Sequence, residues 1–208
     1  MVQDSPPARS VQPGLRERKK REVRRGIRDA ALRMFVEHGF AAVSVDQIAA
    51  AADVSRSTFF NHFASKEAVV FEPDPDELEH WRRLREQRPA DEPLWQSLTA
   101  VLLGCMDHSR DWLVAQKQVK AASPALARSL QECGNRVNAE VGEWVGRRTR
   151  VAPDPMAQLQ LNTAMGAVMT AFEEWSPERP FDEFLTTACG YLDRLGRAFS
   201  GDQDGARQ

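Results

Sequence analysis

Apolar residues recur along most of the chain at helical spacing. Between positions 15 and 38, Ile27, Ala30, Ala31, Met34 and Phe35 follow an i, i+3, i+4, i+7, i+8 pattern, which places them on one face of a helix. Similar patterns, with prolines near their boundaries, predict further helices near 76–88, 93–109, 111–122, 124–149, 155–174 and 181–199. No segment alternates with a period of two, so we expect an all-α fold without a sheet.

Shorter helices are predicted between residues 44 and 72. Ser44, Ser55 and Ser65 each precede a short helical pattern and can cap it. Phe59 and Phe63 form an i, i+4 pair that can pack into a core. Two short helices joined by a tight turn, with a basic helix in front, are typical of a helix-turn-helix DNA reader.

Charge divides the chain into two parts. Residues 1–66 carry a net charge of +5, whereas residues 67–208 carry −7. A basic N-terminal part indicates a polyanionic partner, and a solvated basic tail is the alternative. We therefore expect four regions: a basic disordered tail (1–20), a helix-turn-helix head (21–72), a helical body (73–200) and a second disordered tail (201–208).

Several function classes have no support in the sequence. Cys105, Cys133 and Cys189 are widely spaced without a Cys-x-x-Cys motif, which argues against a disulfide framework or zinc site and favours a reducing cytoplasm. Each is expected to pack as a small hydrophobic side chain. Phosphate loops, nucleophile elbows and metal-ligand spacings are absent, so we expect neither an enzyme nor a metal or cofactor. Apolar runs are too short for a membrane span, which needs about 18 residues.

The segment 40–67, FAAVSVDQIAAAADVSRSTFFNHFASKE, resembles the TetR family of bacterial regulators, in an actinobacterial form. The resemblance rests on many spaced positions: Gly39, Phe40, Ser44, Val45, Ile48, Ala49, Val54, Ser55, Thr58, Phe59, Phe60, Phe63, Ser65 and Lys66. It implies an N-terminal three-helix helix-turn-helix DNA-binding domain and a C-terminal helical ligand-binding and dimerisation domain. Ser57, Phe60 and Ala64 stand where the family often has Gly, Tyr and Pro, and Phe60 cannot donate a hydrogen bond to a phosphate.

Eight residues are candidates for DNA contact. Arg56 can match O6 and N7 of a guanine through its guanidinium fork, with a phosphate contact as the alternative. By resemblance, Ser57, Phe60 and Asn61 also face the major groove. The resemblance assigns phosphate contacts to Ser44, Thr58, His62 and Lys66, and the basic stretch 16–28 can add backbone or minor-groove contacts.

The helices near 155–174 and 181–199 are apolar on more than one face, so they must be buried, and a second copy of the chain can cover them. A monomer with a buried central helix is the alternative. The residues expected at a homodimer interface are Leu161, Met165, Val168, Phe172, Leu185 and Leu192.

The middle helices are expected to enclose an effector site. The candidate lining residues are Trp95, Leu102, Met106, Trp112, Val137 and Trp144. The expected effector is small and hydrophobic, an acyl-CoA ester being one candidate. Together these features predict a cytoplasmic, ligand-responsive repressor that binds a double-stranded, palindromic operator as a homodimer. A DNA-binding architectural or partner-binding protein without a small ligand is the alternative.

Overall fold

The computed structural model describes residues 14–122, 126–149 and 154–205, and this part of the chain forms ten helices without a strand, which confirms the all-α prediction. The helices are α1 (Leu15–His38), α2 (Val45–Ala51), α3 (Arg56–His62), α4 (Lys66–Phe71), α5 (Pro75–Glu86), α6 (Leu94–His108), α7 (Arg110–Ala122), α8 (Ala127–Arg148), α9 (Pro155–Glu174) and α10 (Phe181–Gly205).

Serine caps start the three short helices of the head. Ser44 Oγ accepts the Gln47 N–H at 3.3 Å, and Gln47 Oε1 accepts the Ser44 N–H at 2.8 Å, which forms a capping box. Ser55 Oγ accepts the Thr58 N–H at 3.0 Å, and Ser65 Oγ accepts the Ala68 N–H at 3.2 Å. Each cap satisfies an N–H that the first helical turn cannot pair internally.

Buried side chains from all four helices form the core of the head. Phe35 of α1, Ile48 of α2 and Phe59 of α3 are almost completely buried. Phe63, which directly follows α3, is buried as well. Val69 of α4 is buried as well, so α4 belongs to the same core. This core fixes the orientation of α3 relative to α1.

In the body, α9 packs against α6, α8 and α10, and α5 packs against α6. Leu98, Leu161, Phe184 and Leu192 are fully or almost fully buried where α6, α9 and α10 meet. The head meets the body where α1 and α4 pack against α7 and where α4 packs against α8. None of the helices in the described part of the chain is long and apolar enough to cross a membrane.

Both predicted tails are shorter than the sequence indicated. Helix α1 already begins at Leu15, with the Arg18 N–H donating to the Gly14 carbonyl at 3.1 Å, so residues 15–20 of the predicted basic tail are helical. These residues are Leu, Arg, Glu and Lys, all of which have high helix propensity. Helix α10 continues to Gly205, beyond the expected end at 199. The other tail residues, 1–13 and 206–208, lie outside the described residues.

Candidate nucleic-acid interface

A tight turn joins α2 to α3. Asp53 has a φ of 53°, a left-handed conformation that Asp and Asn adopt more readily than most residues. The Asp53 N–H donates to the Ala50 carbonyl at 3.1 Å, and the Val54 N–H donates to the Ala49 carbonyl at 2.9 Å. These bonds close the turn, so α3 leaves it in a fixed direction.

The outward face of α3 carries the four residues predicted to face the groove. Arg56, Ser57, Phe60 and Asn61 are exposed, whereas Phe59 on the opposite face is fully buried. Phe60 leaves 45% of its surface in solvent and packs edge-on against Phe59, with 5.4 Å between the ring centroids. A large exposed apolar ring on a helix otherwise lined by polar residues can contact a thymine methyl group.

Arg56 makes a contact that the sequence pattern did not indicate. Its Nη1 donates to Asp46 Oδ1 at 2.6 Å, and its guanidinium carbon lies 5.3 Å from the centroid of the Phe60 ring. Asp46 lies in the first turn of α2. The two residues are ten positions apart on different helices, and only the geometry of the turn brings them together.

The predicted phosphate-binding residues differ in how available they are. Ser44 is exposed, but its hydroxyl already takes part in the capping box. Thr58 is half-buried, with its hydroxyl 2.8 Å from that of Ser55. Desolvation is the main cause that lowers the pKa of His62, and the positive charges of Arg24 and Lys20 lower it further. The His62 ring is therefore more neutral than an exposed histidine, although a neutral imidazole keeps one N–H that can donate to a phosphate.

Lys66 makes structural contacts within the head, while its expected phosphate contact stays a prediction. Its Nζ donates to the carbonyl of Phe40 at 2.9 Å and to that of Val43 at 3.1 Å, and it lies 4.3 Å from the centroid of the Phe40 ring. Two of the three ammonium donors are thus used to hold the connection between α1 and α2. This geometry favours a structural role for Lys66 over the predicted phosphate contact.

Four arginines of α1 face the acidic residues of the α4–α5 connection and of the first turn of α5, instead of pointing away from the protein. Arg21 and Arg25 pair with Asp76, Arg24 lies 3.3 Å from Glu72, and Arg28 lies 3.5 Å from Glu77. Among the cations of the 16–28 stretch, those at 16, 18, 19, 20 and 25 are exposed, and Arg25 among them is paired with Asp76. Within the described residues, the four cations at 16, 18, 19 and 20 form no ion pair, so they stay the better candidates for the additional DNA contacts expected from the stretch.

Arg28 is the most buried member of this cluster, with 7% of its side chain exposed. Burial lowers its pKa, and Glu77 and Asp74 oppose that effect. Burial likewise raises the pKa of Glu77, against the effect of the Asp74 N–H that donates to its carboxylate. The ion pair between Arg28 and Glu77 joins α1 to the start of the body. Removing either side chain would leave the other as a buried charge without its counterion, which is strongly destabilising.

Comparison with known proteins assigns this arrangement to a family. The sequence profile of the bacterial regulatory proteins of the tetR family matches residues 27–72. TcmR of Streptomyces glaucescens, an HTH-type transcriptional regulator, is 38% identical over 146 residues, covering 69% of this chain and 62% of TcmR. The chain belongs to the TetR family. The segment of this chain that matches TcmR spans less than two thirds of the length of TcmR itself.

Two further comparisons extend over most of the TetR-family chain. MftR of Mycobacterium tuberculosis, a transcriptional regulator named for mycofactocin biosynthesis, is 28% identical over 168 residues, covering 79% of this chain and 84% of MftR. The solved structure of the fatty acid degradation regulator FadR from Bacillus halodurans matches with a TM-score of 0.54 at 17% identity, covering 83% of this chain and 94% of that one. At this identity the structural match shows the fold alone.

In the TetR-family body, the six candidate pocket residues occupy different surroundings. Trp112 is buried and donates from Nε1 to the Val70 carbonyl of α4 at 2.7 Å, while Trp95 donates to the Leu192 carbonyl of α10 at 3.1 Å. Val137 lines a cleft of about 340 Å³ between the α4–α5 connection and α8. The others are Leu102 and Trp144, both buried, and Met106, half-buried. Their joint role in an effector site stays a prediction.

Four of the six predicted dimer residues lie in the core of the single chain, and the interface itself stays a prediction. Leu161, Val168, Phe172 and Leu192 are buried within a single chain, and Met165 and Leu185 are half-buried. The sequence showed that α9 is apolar on several sides, and the structure shows that α6, α8 and α10 cover the side that carries Leu161 and Val168. The uncovered apolar residues of α9 are Met156, Leu159 and Met169, with 53%, 51% and 41% of their surfaces exposed.

The described residues contain no group of three or more His, Cys, Asp or Glu side chains arranged to hold a metal ion. Cys105 is buried, which raises the pKa of its thiol to about 12, and Cys189 is half-buried. A thiol with so high a pKa is unreactive at neutral pH, in agreement with a packing role. The side chain of Cys133 lies outside the described residues.

Proposed function

We propose that this TetR-family protein is a sequence-specific transcriptional repressor in the cytoplasm, which binds a palindromic operator as a homodimer and is released by a small hydrophobic effector. The observation that carries the proposal is the exposed face of α3, where Arg56, Ser57, Phe60 and Asn61 project from a helix held by a cap, a closed turn and a buried phenylalanine. A rigid helix with long and polar exposed side chains suits the major groove.

The roles within this face follow from chemistry. Arg56 reads a guanine through its fork, Phe60 contacts a thymine methyl group, and Asn61 donates to and accepts from a base edge. Ser44 and Thr58, at the N-terminal ends of α2 and α3, contact phosphates, and His62 does so through a neutral ring N–H. The exposed cations at 16, 18, 19 and 20 add an electrostatic contribution that does not depend on sequence.

We place the homodimer interface on the uncovered apolar face of α9. Met156, Leu159 and Met169 leave apolar surface that a second copy would remove from water, and half-buried Met165 lies one helical turn before Met169. A two-fold dimer presents two α3 helices, and each would read one half-site of a palindrome. This proposal replaces the interface through Leu161 and Leu192, which lie in the core of the single chain.

The contact between α7 and α4 gives an effector a route to the head. Trp112 and Gln116 of α7 both donate to the Val70 carbonyl of α4, at 2.7 and 3.0 Å. An effector that displaces α7 would therefore change the environment of α4. Release requires that the effector prefers a body conformation in which the two heads no longer fit the groove spacing. Acyl-CoA esters are the first class of compound to test.

Selection of bound duplexes from a random pool, with the full chain, tests this function. We expect an inverted repeat whose half-sites are separated by one or more helical turns, at about 10 bp per turn. An Arg56→Ala, Asn61→Ala double variant is the control because both side chains are exposed, so the fold should persist while enrichment is lost. Absence of any enriched sequence, or a single unrepeated half-site bound by a monomer, would contradict the proposal.

A further inference from the structure

Asp46 stands out on the proposed reading surface because it is an acidic side chain on a surface that must approach phosphates. We infer that Asp46 is a positioning residue that holds Arg56 in the orientation required to read guanine. This inference rests on the proposed function. The juxtaposition of Asp46 with Arg56 and Phe60 supports it.

Arg56 is restrained from two sides. Asp46 Oδ1 holds Nη1 at 2.6 Å, and the Phe60 ring lies against the guanidinium, with 5.3 Å from its carbon to the ring centroid. The side chains of Arg56 and Asp46 nevertheless keep 59% and 66% of their surfaces exposed. The arginine is thus oriented by its neighbours while its outer edge remains accessible to a ligand.

The guanidinium keeps enough donors to read a base. It has five N–H donors, and Asp46 uses one on Nη1. Within the described part of the chain, Nε and Nη2 have no hydrogen-bond partner. Two parallel donors are what O6 and N7 of guanine require. An arginine already held by a carboxylate loses less side-chain freedom on binding than a free arginine does.

A simpler role for Asp46 must be distinguished from this one. Acidic residues in the first turn of a helix interact favourably with the helix dipole, and Asp46 occupies that position in α2. The ion pair itself contributes little to folding because both partners are exposed and screened by water. A dipole role predicts a change in head stability, whereas a positioning role predicts a change in base preference.

The test compares Asp46→Asn, Asp46→Ser, Arg56→Ala and the Asp46→Asn, Arg56→Ala double variant. Affinity is measured for the selected operator, for its single-base variants and for random duplex DNA. A bidentate arginine–guanine contact discriminates against a wrong base by roughly 5- to 150-fold. We expect both Asp46 variants to lose about three- to tenfold of that discrimination, at the same base position that Arg56→Ala affects. The double variant should discriminate no worse than Arg56→Ala alone.

Asp53→Asn is the matched control. Asp53 is also an exposed acid of the head, it lies in the turn where Asn is equally tolerated, and its loss removes the same charge. Both Asn variants should bind random DNA somewhat more tightly, since each removes repulsion from phosphates. Only the Asp46 variant should change base preference. Thermal melting checks that the heads fold alike.

Three results would overturn the inference while leaving the proposed function intact. These are unchanged discrimination in both Asp46 variants, a loss at a base position that Arg56→Ala does not affect, and additive effects in the double variant. The second result would make Asp46 an independent base reader. A wild-type protein without any sequence preference would instead overturn the proposed function, and this inference with it.

Discussion

The Val70 carbonyl of α4, the last helix of the head, accepts two hydrogen bonds from side chains of the body. Removing both donors should lower the free energy of unfolding by more than the sum of the two single removals. In a continuing helix the N–H of residue 74 would bond to this carbonyl, but that N–H donates to Glu77 Oε2 at 2.7 Å. Val70 is fully buried, and its carbonyl accepts from Trp112 Nε1 and Gln116 Nε2. The perturbations are Trp112→Phe, Gln116→Leu and the double variant.

The magnitudes follow from these two hydrogen bonds. Either single variant leaves one donor, so each should cost about 1 kcal/mol for the lost hydrogen bond, and Trp112→Phe adds roughly 1 kcal/mol for lost packing. The double variant leaves a buried carbonyl unpaired, which costs about 1–3 kcal/mol more than the two singles together. In a chain of this size each kcal/mol lowers Tm by about 2–4 °C.

Urea unfolding at one fixed protein concentration measures these effects, because the stability of a dimer depends on concentration. Trp95→Phe is the control, since its indole also donates to a backbone carbonyl, that of Leu192, but within the body. Trp95→Phe and Gln116→Leu should be additive within about 0.5 kcal/mol. If Trp112→Phe and Gln116→Leu are additive too, the shared carbonyl is not the reason that these side chains stabilise the junction.

Three further predictions concern other parts of the molecule. Met169→Asp should yield a folded monomer in sedimentation because Met169 is exposed in the single chain, whereas Leu192→Asp should lower Tm sharply because Leu192 is fully buried. A Met169→Asp variant that still sediments as a dimer would show that the interface lies elsewhere. Lys66→Met should lower the Tm of the head without changing the slope of log DNA affinity against log salt concentration. A slope reduced in magnitude by about 0.9 would instead show that Lys66 contacts a phosphate. The pKa of His62 is lowered below its usual 6.5, so folding stability should fall as pH drops below about 6.5, where the unfolded chain takes up the proton first. His62→Gln should weaken that dependence in urea midpoints measured across pH, and an identical pH profile would show that other groups cause it.

Local patterns were sufficient for the framework of the reading head. Ser44, Ser55 and Ser65 cap α2, α3 and α4 as their spacing predicted, and Phe59 and Phe63 enter the core as an i, i+4 pair. These features depend on residues three or four positions apart. Helix geometry alone sets their neighbours, so the sequence was enough to predict them.

Contacts between distant residues were decided by the tertiary structure. The sequence shows that Lys66 is a cation at the start of a helix. Only the fold shows that its side chain donates to the carbonyls of Phe40 and Val43. The pairing of Asp46 with Arg56 depends in the same way on the turn between α2 and α3. A charge count shows that such side chains are present and cannot show whether they meet DNA or the protein itself.

The apolar faces of α9 show the same division. The sequence by itself determined that this helix is apolar on several sides and must therefore be buried. Which side faces the core of the same chain and which side stays open was decided by the packing of α6, α8 and α10 around it. Leu161 and Met169 are both large apolar side chains, yet the first is buried and the second exposed. Hydrophobicity determines that a surface must be covered, whereas the arrangement of the neighbouring helices determines what covers it.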